Sequence, residues 1–591
     1  MAALITALDS YTPTQLGENG HVEYGWSNDI KERMLQFSFQ LTRTKDKSQL
    51  DKLSKILYDI LLFLSGKVKS SSLVDKARGI EYLSIMYRLI GQTRDIIDGK
   101  GEYSLTYMMI YTWYSFYPEL AMYAIKCLVD FGDNGKTHQY GSWKDIKYFC
   151  QYCMDKRDVF NNEHELIKYS VQLMNSQLRM DADAGANSQE RSISLCARWI
   201  PREKSKFGWL YSVLANDYFN EYIKSAKSFN SLKKASLKCM TEYRKLIGTL
   251  NKKLDTLQIK QCDKRWSEID FNKVTSISTA KQKKAFLNTT KDGTQRSEEE
   301  DRIECAKHFK ERIQLAVSGE KEIKGKRLGM EEFTRQALHL LALHLLSQQK
   351  NGDENHQSEI DLLNSQWRDN SSMTGSLDKM IAMVDVSGSM SGDPLRVAVA
   401  LGIRVAEKST LGRRVMTFSE NPTWCNLENH TDFVDMVNVV SRAEWGYNTD
   451  FYKALKLILN VIEEKKLCPE EVEGMVLAIF SDMQIDSNGN VGLKMFDTIE
   501  KEYACAGIRL HGKPFKPPHI LFWNLRSTNG VPCLSTVENA SMMSGFNPSL
   551  LNIFCEKGID ALQSCSPWGI FLESLENERY KILGDKIKEV F

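Results

Sequence analysis

Asp385, Ser387 and Ser389 alternate in MIAMVDVSGSMSG (380–392), directly after four apolar residues, Ile381 to Val384. An acid and two hydroxyls at every second position point the same way from an extended backbone. Gly388, between the serines, is expected to let the chain turn so that both hydroxyls face one point. Two further loops carry groups of the same kind, Thr449 in GYNTD (446–450) and Asp482 in FSDM (480–483). Two carboxylates and three hydroxyls make an all-oxygen donor set. Hard oxygens in a small cage that keeps some water suit Mg²⁺ or Mn²⁺ rather than zinc. Hydroxyls donate weakly, so the ion would stay electrophilic toward an incoming anion. D-x-S-x-S alone also describes a turn that hydrogen-bonds its own backbone. The partners in register on two other loops favour the metal.

Such loops need a scaffold, and the pattern after residue 378 supplies one. KMIAMVDV, RRVMTFSE (413–420), EGMVLAIFSDM (473–483) and PHILFWNLRS (518–527) have the character of strands. PLRVAVALGIRVAEKS (394–409), FVDMVNVVSRA (433–443), FYKALKLILNVIEEKK (451–466) and KMFDTIEKEYACAG (494–507) have that of helices. Alternation of the two implies right-handed crossovers and a mostly parallel, doubly wound α/β sheet over 379–591, with helices at the C-terminal end. Ligands of such sheets gather at the carboxyl ends of strands, where the three loops fall.

Residues 28–276 read instead as an all-α helical array, with stretches such as LDKLSKILYDILLFL (50–64), IEYLSIMYRLI (80–90) and LAMYAIKCLVDF (120–131) at helical spacing. Residues 1–27 form a tail, and 277–378 a charged helical connector. Within the array, 222–266 carries twelve Lys and Arg against three acids, with Tyr222, Phe229, Tyr243 and Trp266 interspersed. Lys224, Lys233, Lys234, Lys238, Arg244, Lys245, Lys252 and Lys253 are candidate phosphate contacts for RNA. A solvated helix face is the competing explanation.

Net charge is +2, which gives no global electrostatic argument for nucleic acid or membrane. Thirteen cysteines without framework spacing, and a start (MAALITALDSYTPTQ) without a basic and apolar leader, lead to the expectation of an intracellular, cytoplasmic protein; for a viral source, the virion or viral factory would be equally compatible. LTYMMIYTWYSFYPELAMYAIKCLV (105–129) is apolar, but Pro118 and Glu119 should break it into two buried helices, and no membrane partner is expected. GDNGKT (132–137) is two residues short of a phosphate loop. Cys150 and Cys153 lack a second ligand pair and read as core, and His339 and His344 as packing positions. Lys144, Asp145, Arg198, Arg202 and Glu203 read as caps and ion pairs, with a ligand-facing role as the alternative.

The D-V-S-G-S … T … D constellation resembles the metal-ion-dependent adhesion site of von Willebrand factor A domains, over 379 to about 530. The resemblance implies that Ser387, Ser389 and Thr449 touch the metal, that Asp385 and Asp482 hold it directly or through water, and that a partner protein's Asp or Glu takes the sixth position. GKGEYSLTYMMIY (99–111), YGSWKDIKYF (140–149), ARWIPREKSKFGWL (197–210), KRWSEIDFNKVTS (264–276) and LNSQWRDN (363–370) resemble a family of plant and giant-virus proteins of unknown function, over most of 75–590. A helical (HEAT-like) array followed by an A domain is also similar in architecture to Ro-type (TROVE) ring proteins, which implies binding of structured RNA. The function expected first is therefore a non-enzymatic binding or scaffold protein, the alternative an RNA-binding ring. A metal-dependent hydrolase is disfavoured, because no histidine adjoins the three loops to serve as a general base.

Overall fold

The computed structural model describes residues 11–130, 140–156, 164–186, 193–347, 354–443, 450–484, 494–555, 557 and 559–591. These form two compact units, one of 1–105, 270–298 and 306–584, the other of 106–269, 299–305 and 585–591.

The first unit is built on a six-stranded sheet. Its strands are β3 (Met380–Asp385), β4 (Arg414–Phe418), β5 (Thr423–Asn426), β6 (Val476–Ser481), β7 (His519–Asn524) and β8 (Ala540–Ser544), in the order β5-β4-β3-β6-β7-β8. A separate hairpin of β1 (Thr14–Leu16) and β2 (Val22–Tyr24) precedes them. All the sheet pairings are parallel except β4–β5. β6, β7 and β8 are buried at every position, as strands covered on both faces must be, which explains the near-continuous apolar runs of β6 and β7. β5 and β8 escape the sequence pattern. TWCN is short and half exposed, and ASMMS carries serines at two of its five positions although it is wholly buried.

The expected helices form at Asp393–Lys408, Phe433–Ser441, Phe451–Lys465 and Met495–His511. Helices Met330–Ser347 and Glu354–Ser371 also join this core, the first packing on 393–408 and 433–441. Trp367 stacks on Phe433 at 3.9 Å, its indole N–H donates to Glu407, and the Arg404 guanidinium lies 4.5 Å from its ring. The phrase LNSQWRDN is thus accounted for by packing. At the other end of the sheet, helix Ile30–Gln40 packs on β8 and on helix Pro567–Leu575. The Asn524 amide donates to the Phe39 carbonyl at 2.9 Å, and Lys100 donates to the Ser38 carbonyl and to Ser544 Oγ, each at 2.6 Å. The edge strand β8 is therefore covered rather than open.

The second unit is helical. Its main members are Pro118–Cys127, Trp143–Asp155, Glu165–Ala186, Gly208–Tyr218 and Phe229–Leu254. Pro118 opens its helix at the first turn, where the missing N–H costs nothing, so the apolar stretch 105–129 is broken as expected. Among the described residues no helix is long and apolar enough to cross a membrane. Buried polar contacts tie the helices together, such as Asn175 donating to the Leu214 carbonyl and Tyr243 donating to Asn175. Cys150 and Cys153 are fully buried in helix 143–155, burial pushing the Cys150 thiol up to about 12. All thirteen cysteines are free.

Candidate functional site

β3 and β6 are neighbours, and their chains leave in opposite directions across the sheet, β3 toward β4 and β6 toward β7. That is the topological switch point at which open α/β sheets form a crevice. Asp385 ends β3 and Ser481 ends β6, with Asp482 next. The pairing of Val384 with Phe480 sets Asp385 beside Ser481.

Ser481 Oγ donates to Asp385 Oδ2 at 2.6 Å, and the Ser387 N–H donates to Asp385 Oδ1 at 2.9 Å. Ser387 Oγ and Ser389 Oγ lie 3.1 Å apart. Both acids are fully buried. Burial, with repulsion from the Asp482 charge, pushes the Asp385 carboxyl above the usual carboxylate range, and the hydrogen bonds from Ser387 and Ser481 only partly offset this. Two buried carboxylates held this way are an electrostatic deficit that a cation would relieve. The described donors are hard oxygens throughout, and in chemistry they fit Mg²⁺ or Mn²⁺. No group of three or more His, Cys, Asp or Glu is clustered for a metal among the described residues, so the set would rest on two acids plus hydroxyls.

Asp385, Ser387, Ser389 and Asp482 thus fall where the sequence placed them. Thr449 lies outside the described residues, as does GDNGKT. Asp450, the first described residue after Thr449, donates its N–H to the Ser419 carbonyl just past β4. Gly388 opens a short turn of 3₁₀ helix, Gly388–Met390, which brings the two serine hydroxyls together, so Ser389 leaves from a turn rather than from an extended backbone; the left-handed residue of the loop is Gly392, with φ +98°.

Sequence reasoning missed three participants. Ser481 supplies the hydroxyl that donates to Asp385. Arg526, past β7, donates from Nε to Asp482 Oδ2 at 2.8 Å. Glu18, at the tip of the β1–β2 hairpin, receives the other end of the Arg526 guanidinium at 2.5 Å. The hairpin is anchored there by Gln484, whose side-chain oxygen accepts the Glu18 N–H and whose amide donates to Glu23. The alternating acid–hydroxyl signal could have flagged Ser481; nothing local to FWNLRS or LGENG flags Arg526 or Glu18.

The basic candidates lie in the second unit. Lys224 ends helix Asn220–Lys224, and Lys233, Lys234, Lys238, Arg244, Lys245, Lys252 and Lys253 project exposed from helix Phe229–Leu254. At 3.6 residues per turn, Lys234, Lys238, Lys245 and Lys252 make one stripe, away from the buried Cys239, Tyr243 and Leu250. Arg244 is paired with Glu203 at 2.6 Å, Lys245 with Glu242, and Lys238 lies 3.9 Å from the centre of the Tyr222 ring.

A mostly parallel α/β sheet with two buried acids at its switch point, together with helical segments, describes this chain at the level of class. Residues 379–579 match the model of a domain of unknown function (DUF7788), and residues 170–373 that of a second domain of unknown function (DUF2828). The chain is also similar to an uncharacterized protein, L728, of Acanthamoeba polyphaga mimivirus, at 28% identity over 509 residues, which cover 83% of this chain and 79% of that protein.

Proposed function

We propose that the chain is a non-enzymatic binding or scaffold protein whose α/β domain holds Mg²⁺ or Mn²⁺ in the manner of a von Willebrand factor A adhesion site. A partner protein would complete the ion's coordination with an Asp or Glu. The observation that carries this reading is the convergence of Asp385, Ser387, Ser389, Ser481 and Asp482 at the carboxyl ends of the adjacent strands β3 and β6. Weak hydroxyl donors leave the bound ion able to attract a further carboxylate. His21 on the β1–β2 hairpin faces Glu23 at 3.4 Å, and among the described residues no histidine is hydrogen-bonded to either acid of the site, which favours binding over hydrolysis.

The test is copurification of the tagged full chain from cells with and without EDTA. A protein partner that is released by EDTA and absent with Asp385→Asn supports the reading. A partner retained in both cases contradicts it.

The lysine stripe on helix 229–254 favours a second reading, a Ro-like RNA-binding ring. It calls for RNA that stays bound in EDTA, with affinity falling steeply with salt and on charge reversal at Lys234 and Lys252. The viral relative is compatible with a viral source.

A further inference from the structure

Helix Trp143–Asp155 and the segment Cys196–Gly208 meet within the second unit, and with them the phrases WKDIKYF and ARWIPREKSKFGW. Lys147 Nζ sits over three rings at once, 5.2 Å from the centres of Tyr148 and Trp199 and 5.1 Å from that of Phe207. Lys206 shares the Phe207 ring at 4.9 Å, and the Arg198 guanidinium lies 5.7 Å from Trp199.

Lys147, Arg198 and Lys206 have no ion-pair partner among the described residues. The two nearby carboxylates are already committed, Glu203 to Arg244, and Asp145, fully buried, to the Ser142 N–H and the Tyr107 hydroxyl. Burial and the charges of Lys144 and Lys206 lower the Lys147 ammonium, and burial alone lowers the Arg198 guanidinium. Half-buried cations are ordinarily matched by a carboxylate, and here the rings offer only their faces.

A cleft of about 560 Å³ borders Trp199 and Arg198, and its wall also carries the Glu203–Arg244 ion pair. Cations without an acid among the described residues, half-buried aromatic faces and a neighbouring cleft together describe one ligand chemistry. An anionic oxygen cluster would answer the cations, and a flat ring would stack on the aromatics.

We infer that the Lys147–Trp199–Arg198 face and its adjoining cleft bind a nucleoside phosphate, either free or as part of a single strand. The site does not depend on the metal reading, and it lies on different residues from the Lys234–Lys252 stripe.

The experiment uses the full chain and two probes, a fluorescent twelve-nucleotide single-stranded RNA and a fluorescent ATP analogue, each competed with inorganic phosphate. Lys147→Met with Arg198→Gln should weaken the bound probe at least tenfold, and Trp199→Leu should weaken it without changing the salt dependence. Lys234→Glu with Lys252→Glu should change it less than twofold. Because methionine keeps an unbranched apolar chain against the three rings while removing the charge, Lys147→Met should leave the melting temperature within a few degrees of wild type, which separates lost binding from lost folding. Tight binding of the ATP analogue identifies a free nucleotide; binding of the RNA alone identifies a strand. The inference is overturned if neither probe binds the wild-type chain, if Lys147→Met with Arg198→Gln binds as wild type, or if only the Lys234/Lys252 variant loses binding. The last result would leave the RNA reading of the helix standing by itself.

Discussion

Arg526 holds Asp482 by one N–H and Glu18 by another, so in the free protein a guanidinium already answers part of the charge that a metal would neutralise. Replacing it by alanine should tighten Mg²⁺ binding while lowering the stability of the metal-free protein, because two buried carboxylates then face each other with less compensation. Isothermal titration and thermal melts in EDTA read the two effects separately. Ser387→Ala and Ser389→Ala remove donors without touching the acids, and each should weaken the ion by tenfold or more with little change in the metal-free melt. A different residue governs behaviour in acid. His519 opens β7, fully buried, with Nε2 2.8 Å from Ser541 Oγ, and burial lowers its pKa from 6.5 to about 4. The unfolded chain therefore binds a proton between these values that the folded chain refuses. Stability is fully present above pH 6.5 and declines as the pH falls toward 4, by about 3 kcal/mol for this group. His519→Gln should flatten that part of the stability profile, as measured by urea unfolding at pH 7 and pH 4.5.

Among the elements, the C-terminal helix Glu578–Val590 shows how firmly distant parts of the sequence are joined within the first unit. Arg579 donates to both oxygens of Asp95, each at 2.6 Å, and Tyr580 adds a third hydrogen bond to the same fully buried carboxylate. Arg579→Ala would leave that carboxylate without its cation and should cost about 3 kcal/mol, seen as a lower urea midpoint with unchanged cooperativity. Elements also mark where the sequence was legible. β3, β4, β6 and β7 and the helices between them were readable because their apolar runs are long and their helices periodic. β5 and β8 were not, since TWCN and ASMMS owe their strand state to neighbours, pairing along Arg414–Thr417 and Ile520–Asn524. The candidate site was legible in its acids and serines because β3 and β6 are legible. Arg526 and Glu18 were hidden because their pairing joins residues separated by 508 positions.

On the scale of the whole molecule, residues before 106 group with the sheet and not with the helices that follow them. Periodicity cannot reveal this, because an amphipathic helix shows that it buries a face and not what it buries it against. The phrases GKGEY and LNSQWRDN belong to that packing: Lys100 reaches β8, and Trp367 lies in the core over the sheet. WKDIKYF and ARWIPRE differ, for their cations meet rings instead of acids. The crevice at the switch point and the ring-bound cations lie in different units, each with its own proposed ligand chemistry. EDTA should therefore abolish carboxylate-dependent partner binding and leave nucleotide binding within twofold of its starting value, as measured on one preparation with both probes.

Cation binding at the switch point is decided by direct titration of the full, EDTA-treated chain with Mg²⁺ and with Mn²⁺, beside Asp385→Asn and Ser387→Ala. The wild-type chain should show one saturable site and a melting temperature that rises as the ion saturates, as for any ligand bound only by the folded state, and both effects should be lost in the two variants. Absence of a saturable site, or a site that Asp385→Asn and Ser387→Ala leave intact, would contradict it.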